Sequence, residues 1–350
     1  MPKHWSTKNL HIITPPSAET TGIGVFEFTD DYSVFHFGKM PDQIEGKGEA
    51  ICRMAAMNFR LFEERGIETH FRKFIAPNRI EFRLLRVIDP LQQPISEGER
   101  NYFIPLQVVF RNSLPPGSSV FRRIQRGTAT LARFGWSSLP EPGTVLDSPV
   151  IEFMTKLEEI DRFIDEPEAM RLAGLSEKQL AALKDLVLAV NDVISRKAAS
   201  AGLHHADGKL EFGVSDRGTI FLVDAAGTPD ENRFTLEGFD ISKQIMRNYY
   251  APTGLELKIQ QWAAAGVPRS LWEQPESLPP EFLVPVSQLY KSLCETWIGE
   301  RIWGAPPLSE VVRVLATLGM QARQPWPTGL PPHSARKVND QAKSGDHNAS

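Results

Sequence analysis

Residues 176–194 carry the clearest hydrophobic period in the chain. Leu180, Leu183, Val187, Val190 and Ile194 recur at helical intervals, and Ser176 with Gln179 three residues on forms the pattern of a capping box. A second helix is predicted over 49–65, where Ile51, Met54, Ala55, Phe59 and Phe62 share a face and Gly66 can end it. Alternation at period two predicts strands over 25–28 and 32–37, around the turn residues Thr29, Asp30 and Asp31, and over 82–88 and 106–111. Residues 1–20 read as an irregular leader, 112–119 as a Pro/Gly/Ser loop and 137–149 as irregular. Proline-rich, partly helical sequence runs to about residue 320, and the polar end, 331–350, reads as disordered. No internal repeat is visible.

The most informative alternation lies in a hairpin over 209–214 and 219–224. Leu210, Phe212 and Val214 fall on one face, Lys209 and Glu211 on the other, with Asp207 joining them if the strand extends back. Ser215, Asp216, Arg217 and Gly218 supply the turn. With Val214 opposite Thr219, Lys209 falls opposite Asp224, and Glu211 and Asp224 become diagonal neighbours. Two carboxylates on a rigid hairpin suit Mg²⁺, which takes one or two carboxylates plus phosphate oxygens. On spacing alone, a solvated salt bridge on an ordinary hairpin is the commoner arrangement.

Composition narrows the classes. At 350 residues the chain exceeds the usual size of one core, which predicts two domains or lobes. A hydrophobic fraction of 41% argues against wholesale disorder, and a net charge of −4 argues against gripping nucleic acid by bulk charge. Cys52 and Cys294 are far apart and outside any CxxC pattern, so neither a disulfide framework nor a cysteine zinc site is expected. No apolar run of about 18 residues predicts a membrane span, and residues 1–16 carry no signal-like pattern. The expectation is a soluble, cytoplasmic protein. Three features are set aside: His204-His205-x-Asp207 as a weak zinc pattern, Gly46-Lys47-Gly48 as a turn, and Arg122, Arg123 and Arg126 as a solvated basic face.

The segments GLHHADGKLEFG and LVDAAGTPDENRF resemble the signature GLxxxDxKxEFG…DExxTPDxSRxW of the phosphoribosylaminoimidazole-succinocarboxamide synthase (SAICAR synthase) family. PDQIEGKGEAICRMAAMNFRLFEERGIETHF, IPLQVVFRNSLPPGSS, EFMTKLEEIDRFI and ISKQIMRNYY resemble further blocks of that family, in family order from about residue 22 to 300. The likeness is closest to the longer archaeal-type branch. It implies a two-lobed α+β fold with antiparallel sheets and flanking helices, related to ATP-grasp proteins and protein kinases. An N-terminal β-rich lobe, 21–105, would cover ATP, and an α+β lobe, 106–330, would hold the metal and ribotide site. The implied activity is an ATP-dependent ligase joining L-aspartate to carboxyaminoimidazole ribonucleotide, with ATP and Mg²⁺ as cofactors, only small-molecule substrates as partners, and a homo-oligomer as one arrangement.

Carried over by position, the resemblance makes Glu211 and Asp224 metal ligands and sets Asp207 and Lys209 beside the imidazole ribotide as catalytic residues. It gives Arg111, Ser118 and Arg233 its 5′-phosphate, assigns Asp230 and His36 to substrate, and assigns Gly22, Gly24, Gln107, Lys156 and Asp161 to the nucleotide region. The chain departs from the pattern at four points. The glycine loop around Gly22 and Gly24 lacks its lysine, for which Lys39, Lys47 or Lys73 are candidates. His36 replaces an aspartate, Gln107 a glutamate and Ala225 a glutamate. Those changes keep two alternatives open: a paralogue acting on a related ribotide in a coformycin- or pentostatin-type pathway, and a non-catalytic nucleotide-binding homologue.

Overall fold

The computed structural model describes residues 7–158 and 160–319; the polar end at 331–350 lies outside them. A four-stranded antiparallel sheet comes first, built from β1 (Lys8–Thr14), β2 (Gly22–Phe28), β3 (Phe71–Ile75) and β4 (Arg79–Leu84) in the order β1-β2-β4-β3. Helix α1 (Lys47–Glu64) packs against it and buries Ile51, Met54, Ala55, Phe59 and Phe62. Asp30 fixes its start by accepting from the Gly46 and Gly48 amides at 3.0 and 2.9 Å.

Part of the expected irregular leader is regular: Lys8–Thr14 is an edge strand paired with β2. Most of its side chains, Ile12 and Ile13 included, are exposed, so backbone hydrogen bonds hold it and no burial pattern advertises it. Residues 32–37 are not a strand. Tyr32, Val34 and Phe37 are buried, but the spacing breaks after Val34: Phe35 has φ 50° and the Phe37 amide closes a turn on the Val34 carbonyl. The burial pattern here reports a compact turn.

A larger sheet has the order β13-β12-β10-β7-β8-β9, with β11 and β6 on the far half of β10 and β5 beside β6. Its strands are β5 (Arg86–Val87), β6 (Tyr102–Phe103), β7 (Leu106–Ser113), β8 (Val145–Thr155), β9 (Phe163–Ile164), β10 (His204–Val214), β11 (Ile220–Val223), β12 (Asn232–Leu236) and β13 (Phe239–Asp240). The stretch 137–149 is therefore irregular only as far as residue 144. The helices of this part are α2 (Ser119–Gln125), α3 (Glu166–Ala173), α4 (Glu177–Ser200), α5 (Gln244–Tyr250), α6 (Leu255–Ala264), α7 (Pro280–Ile298) and α8 (Leu308–Thr317). α4 starts on the expected capping box, with both reciprocal hydrogen bonds made. Among the described residues, no helix is long and apolar enough to cross a membrane. The mixture of helices and antiparallel sheets is the expected α+β class.

Candidate active site

Strand register lays a row of charge across the larger sheet. Asp207 on β10 pairs with Arg111 on β7 and with Arg233 on β12. Opposed residues share a face, so all three side chains meet. Arg233 holds Asp207 through two nitrogens, one of them Nε at 2.7 Å, and Arg111 Nη1 reaches it at 3.3 Å. Burial alone would raise the Asp207 carboxyl, but Arg233 and then Arg111 hold it lowered. Arg111 Nη1 and Nη2 also donate to Ser118 at 3.5 Å and Ser119 at 3.2 Å. The same face carries Lys209, and Glu211 follows, accepting from Gln107 Nε2 at 3.4 Å and paired with Lys156. The apolar partners Leu210, Phe212 and Val214 are buried on the opposite face, as the alternation predicts.

The hairpin register differs from expectation by one residue: Val214 pairs with Ile220 and Glu211 with Val223. Regular continuation would turn Asp224 away from Glu211. Instead β11 ends at Val223, and Asp224 has φ 63°, so the regular alternation does not extend to it. The two carboxylates line one opening of about 190 Å³ together with Lys209 and Glu231. Burial, against the opposing Lys156 and with the like charge of Asp224, raises Glu211. Despite burial, Lys8 and Lys156 lower Asp224.

Lys8 is a residue the sequence reading missed. It pairs with Asp224 and lies 4.7 Å from the centroid of Phe26. Its place on an exposed edge strand hides it from periodicity. The other candidate lysines separate clearly. Lys39 and Lys73 are exposed, on Asp31 and Glu81. Lys47, set aside as part of a turn, is buried and donates to Asp230 at 2.6 Å, where Tyr290 also donates at 2.9 Å. Lys8, Lys47, Asp230, Glu231 and Ala225 line a second opening of about 280 Å³ that adjoins the first. Lys243 and Arg247, also missed, lie in the field of Glu231, with Asp230 acting on Lys243 as well.

Other expected residues fall differently. Gly22 and Gly24 are inside β2, not in a loose turn, and a Cβ on Gly24 would sit 2.7 Å from the Phe82 ring. Close strand packing accounts for that glycine. His36 is exposed on the 34–37 turn, outside both openings. Asp161 is half-buried in the turn between β8 and β9, and its charge acts on Lys209. His204 and His205 are held neutral by burial, each with a pKa of about 4, and bond to Ser113 and to Ser195 with Asn232. That is a packing role, not a zinc site. Among the described residues no cluster of three or more His, Cys, Asp or Glu could hold a metal. Glu211 and Asp224 still fit Mg²⁺, whose remaining ligands are ordinarily phosphate oxygens and water.

A row of arginine and carboxylate thus lies on one sheet face, beside a second acidic pair, in an α+β fold. The sequence model of the SAICAR synthetase family matches residues 17–261, and the chain belongs to that family. A protein of Archaeoglobus fulgidus provisionally named phosphoribosylaminoimidazole-succinocarboxamide synthase is 40% identical over 89% of this chain and 98% of its own length. The synthase of that name from Thermoplasma acidophilum is 32% identical over 79% and 93%. Among solved structures, a SAICAR synthetase in complex with ADP matches with a TM-score of 0.59 at 24% identity, covering 86% of this chain and 98% of that one. The Saccharomyces cerevisiae SAICAR synthase complexed with SAICAR matches at 0.62 and 17% identity, covering 86% and 95%.

Proposed function

We propose that the chain joins L-aspartate to the carboxylate of carboxyaminoimidazole ribonucleotide, coupled to cleavage of ATP to ADP and phosphate. The observation that carries this reading is the single, largely buried face on which Arg111, Asp207, Lys209, Glu211 and Arg233 converge, in a chain of this family. A carboxylate is a poor acyl donor because its leaving group would be oxide. Transfer of the γ-phosphoryl group to it yields an acyl phosphate; the aspartate amine then attacks the acyl carbon, and phosphate leaves with the bond electrons. Arg111 and Arg233 supply donors for the ribotide phosphate, the Arg111 fork from a fixed position. Lys209, whose proton affinity is lowered by burial, faces the carboxylates and holds the anionic acyl end. Lys8 and Lys47 meet the nucleotide's phosphates. Glu211 and Asp224 would hold Mg²⁺, which when bound neutralises phosphate oxygens.

The paralogue reading leans on His36 and Ala225; His36 lies outside both openings, whereas Ala225 lines both of them. A ligase for soluble metabolites is assigned to the cytoplasm on the same reading, and a homo-oligomer is checked by sedimentation. The test of the activity is ADP release coupled to a reporter. Turnover should require both carboxyaminoimidazole ribonucleotide and aspartate; ADP release indifferent to aspartate would sink the proposal. Glu211→Gln and Asp224→Asn should each abolish turnover while the far-ultraviolet circular dichroism stays native. Near-native rates in both would remove these residues from the metal site.

A further inference from the structure

Arg123 is not on a solvated face. Its side chain is 12% exposed, and its guanidinium lies 3.6 Å from the centroid of Phe163. Nη2 donates to Glu152 Oε1 at 2.6 Å, while Nε and Nη1 are buried with no hydrogen-bond partner among the described residues. As a stabilising device this is a poor arrangement, because buried donors left unmade oppose folding. Glu152, on β8, is itself fully engaged. Its other oxygen, Oε2, accepts from Arg111 Nε at 2.9 Å. The carboxylate is thus a buried bridge between two arginines, one of which faces the phosphate site.

Helix α2 grips Arg111 from two directions. Ser118 and Ser119, at its start, accept from Nη1 and Nη2. Arg123, four residues after Ser119 and therefore on the same helix face, acts on the Nε edge through Glu152. Arg122, its neighbour, points outward to Glu256 and is half exposed. An arginine fork recognises phosphate by the direction of its N–H groups, so a rotation of the fork loses more than its charge would suggest.

We propose that Arg123 and Glu152 are positioning residues that fix the Arg111 fork for the ribotide phosphate; the proposal rests on the assignment of Arg111 to that phosphate. Arg123→Met should raise KM for carboxyaminoimidazole ribonucleotide by about tenfold or more, because a displaced fork loses its directed phosphate bonds. KM for ATP should change less than about twofold. Arg111→Met combined with Arg123→Met should be no worse than Arg111→Met alone, because the second residue acts only through the first. Arg122→Met should match the wild type. If Arg123→Met does not fold, Glu152→Gln carries the test: it keeps the volume but can no longer take a charge-assisted bond from each arginine, and the same selective rise is expected. The proposal is overturned by an unchanged ribotide KM in a folded variant, by equal rises in both KM values, or by additive effects in the double variant. The underlying assignment fails separately if Arg111→Met itself leaves the ribotide KM unchanged.

Discussion

Burial lowers the Lys243 ammonium to a pKa of about 8, against the opposing charges of Asp230 and Glu231 and with those of Arg247 and Lys209. Its Nζ donates to Ser33 at 3.0 Å. A lysine poised there loses its charge just above neutrality, so any anion it holds should bind more weakly as pH rises through 8. The stability effect has the opposite sign. Between about 8 and the usual lysine value near 10.4, the unfolded chain binds the proton more than the folded one, so stability from this group increases with pH. Anion binding that weakens above pH 8, with no fall in thermal midpoint, is the expected result. Lys243→Arg should move that limb upward, and a limb left in place would clear Lys243 of the role. At this scale the legible residues were those whose chemistry sits inside one contiguous motif, such as Asp207, Lys209 and Glu211. Lys8, Glu152 and Arg123 were hidden because their partners come from strands far away in sequence.

At the level of elements, β1 illustrates what pattern reading cannot reach. Helix α4 was readable because its apolar face, cap and length agree. The hairpin's faces were readable from alternation, but its register was off by one, since the turn offers two closures that alternation does not distinguish. Asp224 still lines the Glu211 opening because it falls just past the last residue of β11 at positive φ, a feature with no signature in residue type. β1 buries little, so its pattern reads as leader. The residue by which it reaches the site is Lys8, opposite Phe28 at the strand's start. Lys8→Met removes a charge-assisted bond from a largely buried carboxylate, a loss of about 1–3 kcal/mol. Equilibrium unfolding should register that loss, and KM for ATP should rise while KM for ribotide holds. A variant less stable but normal in KM for ATP would make Lys8 structural only.

Across the whole molecule, the two openings of about 280 and 190 Å³ share Ala225 and Glu231. On the proposed reaction a nucleotide and a ribotide must both enter there. The core is continuous from Phe26 to Leu315, so the parts cannot simply separate. The two sheets are stitched on one side, where His70 N–H donates to the Leu222 carbonyl and Leu222 N–H to that of Glu68, at 2.9 and 3.0 Å. His70 Nε2 also meets the Asp224 carbonyl at 3.1 Å, and burial keeps its ring neutral, with a pKa of about 3. On the other side the Lys8–Asp224 and Lys47–Asp230 pairs tie the openings, and phosphate and Mg²⁺ would each compete for the first. Opening is therefore expected as a swing of β1 and the adjoining end of β2 about the 68–70 and 222 contact. Hydrogen exchange with and without ADP and Mg²⁺ reads it directly. Amides of β1 and of 225–231 should change protection on nucleotide binding, while those of His70 and Leu222 stay protected in both states. Protection of β1 that is indifferent to saturating nucleotide would show that the ligands enter without this motion, and that the Lys8–Asp224 pair is not the tie that must yield.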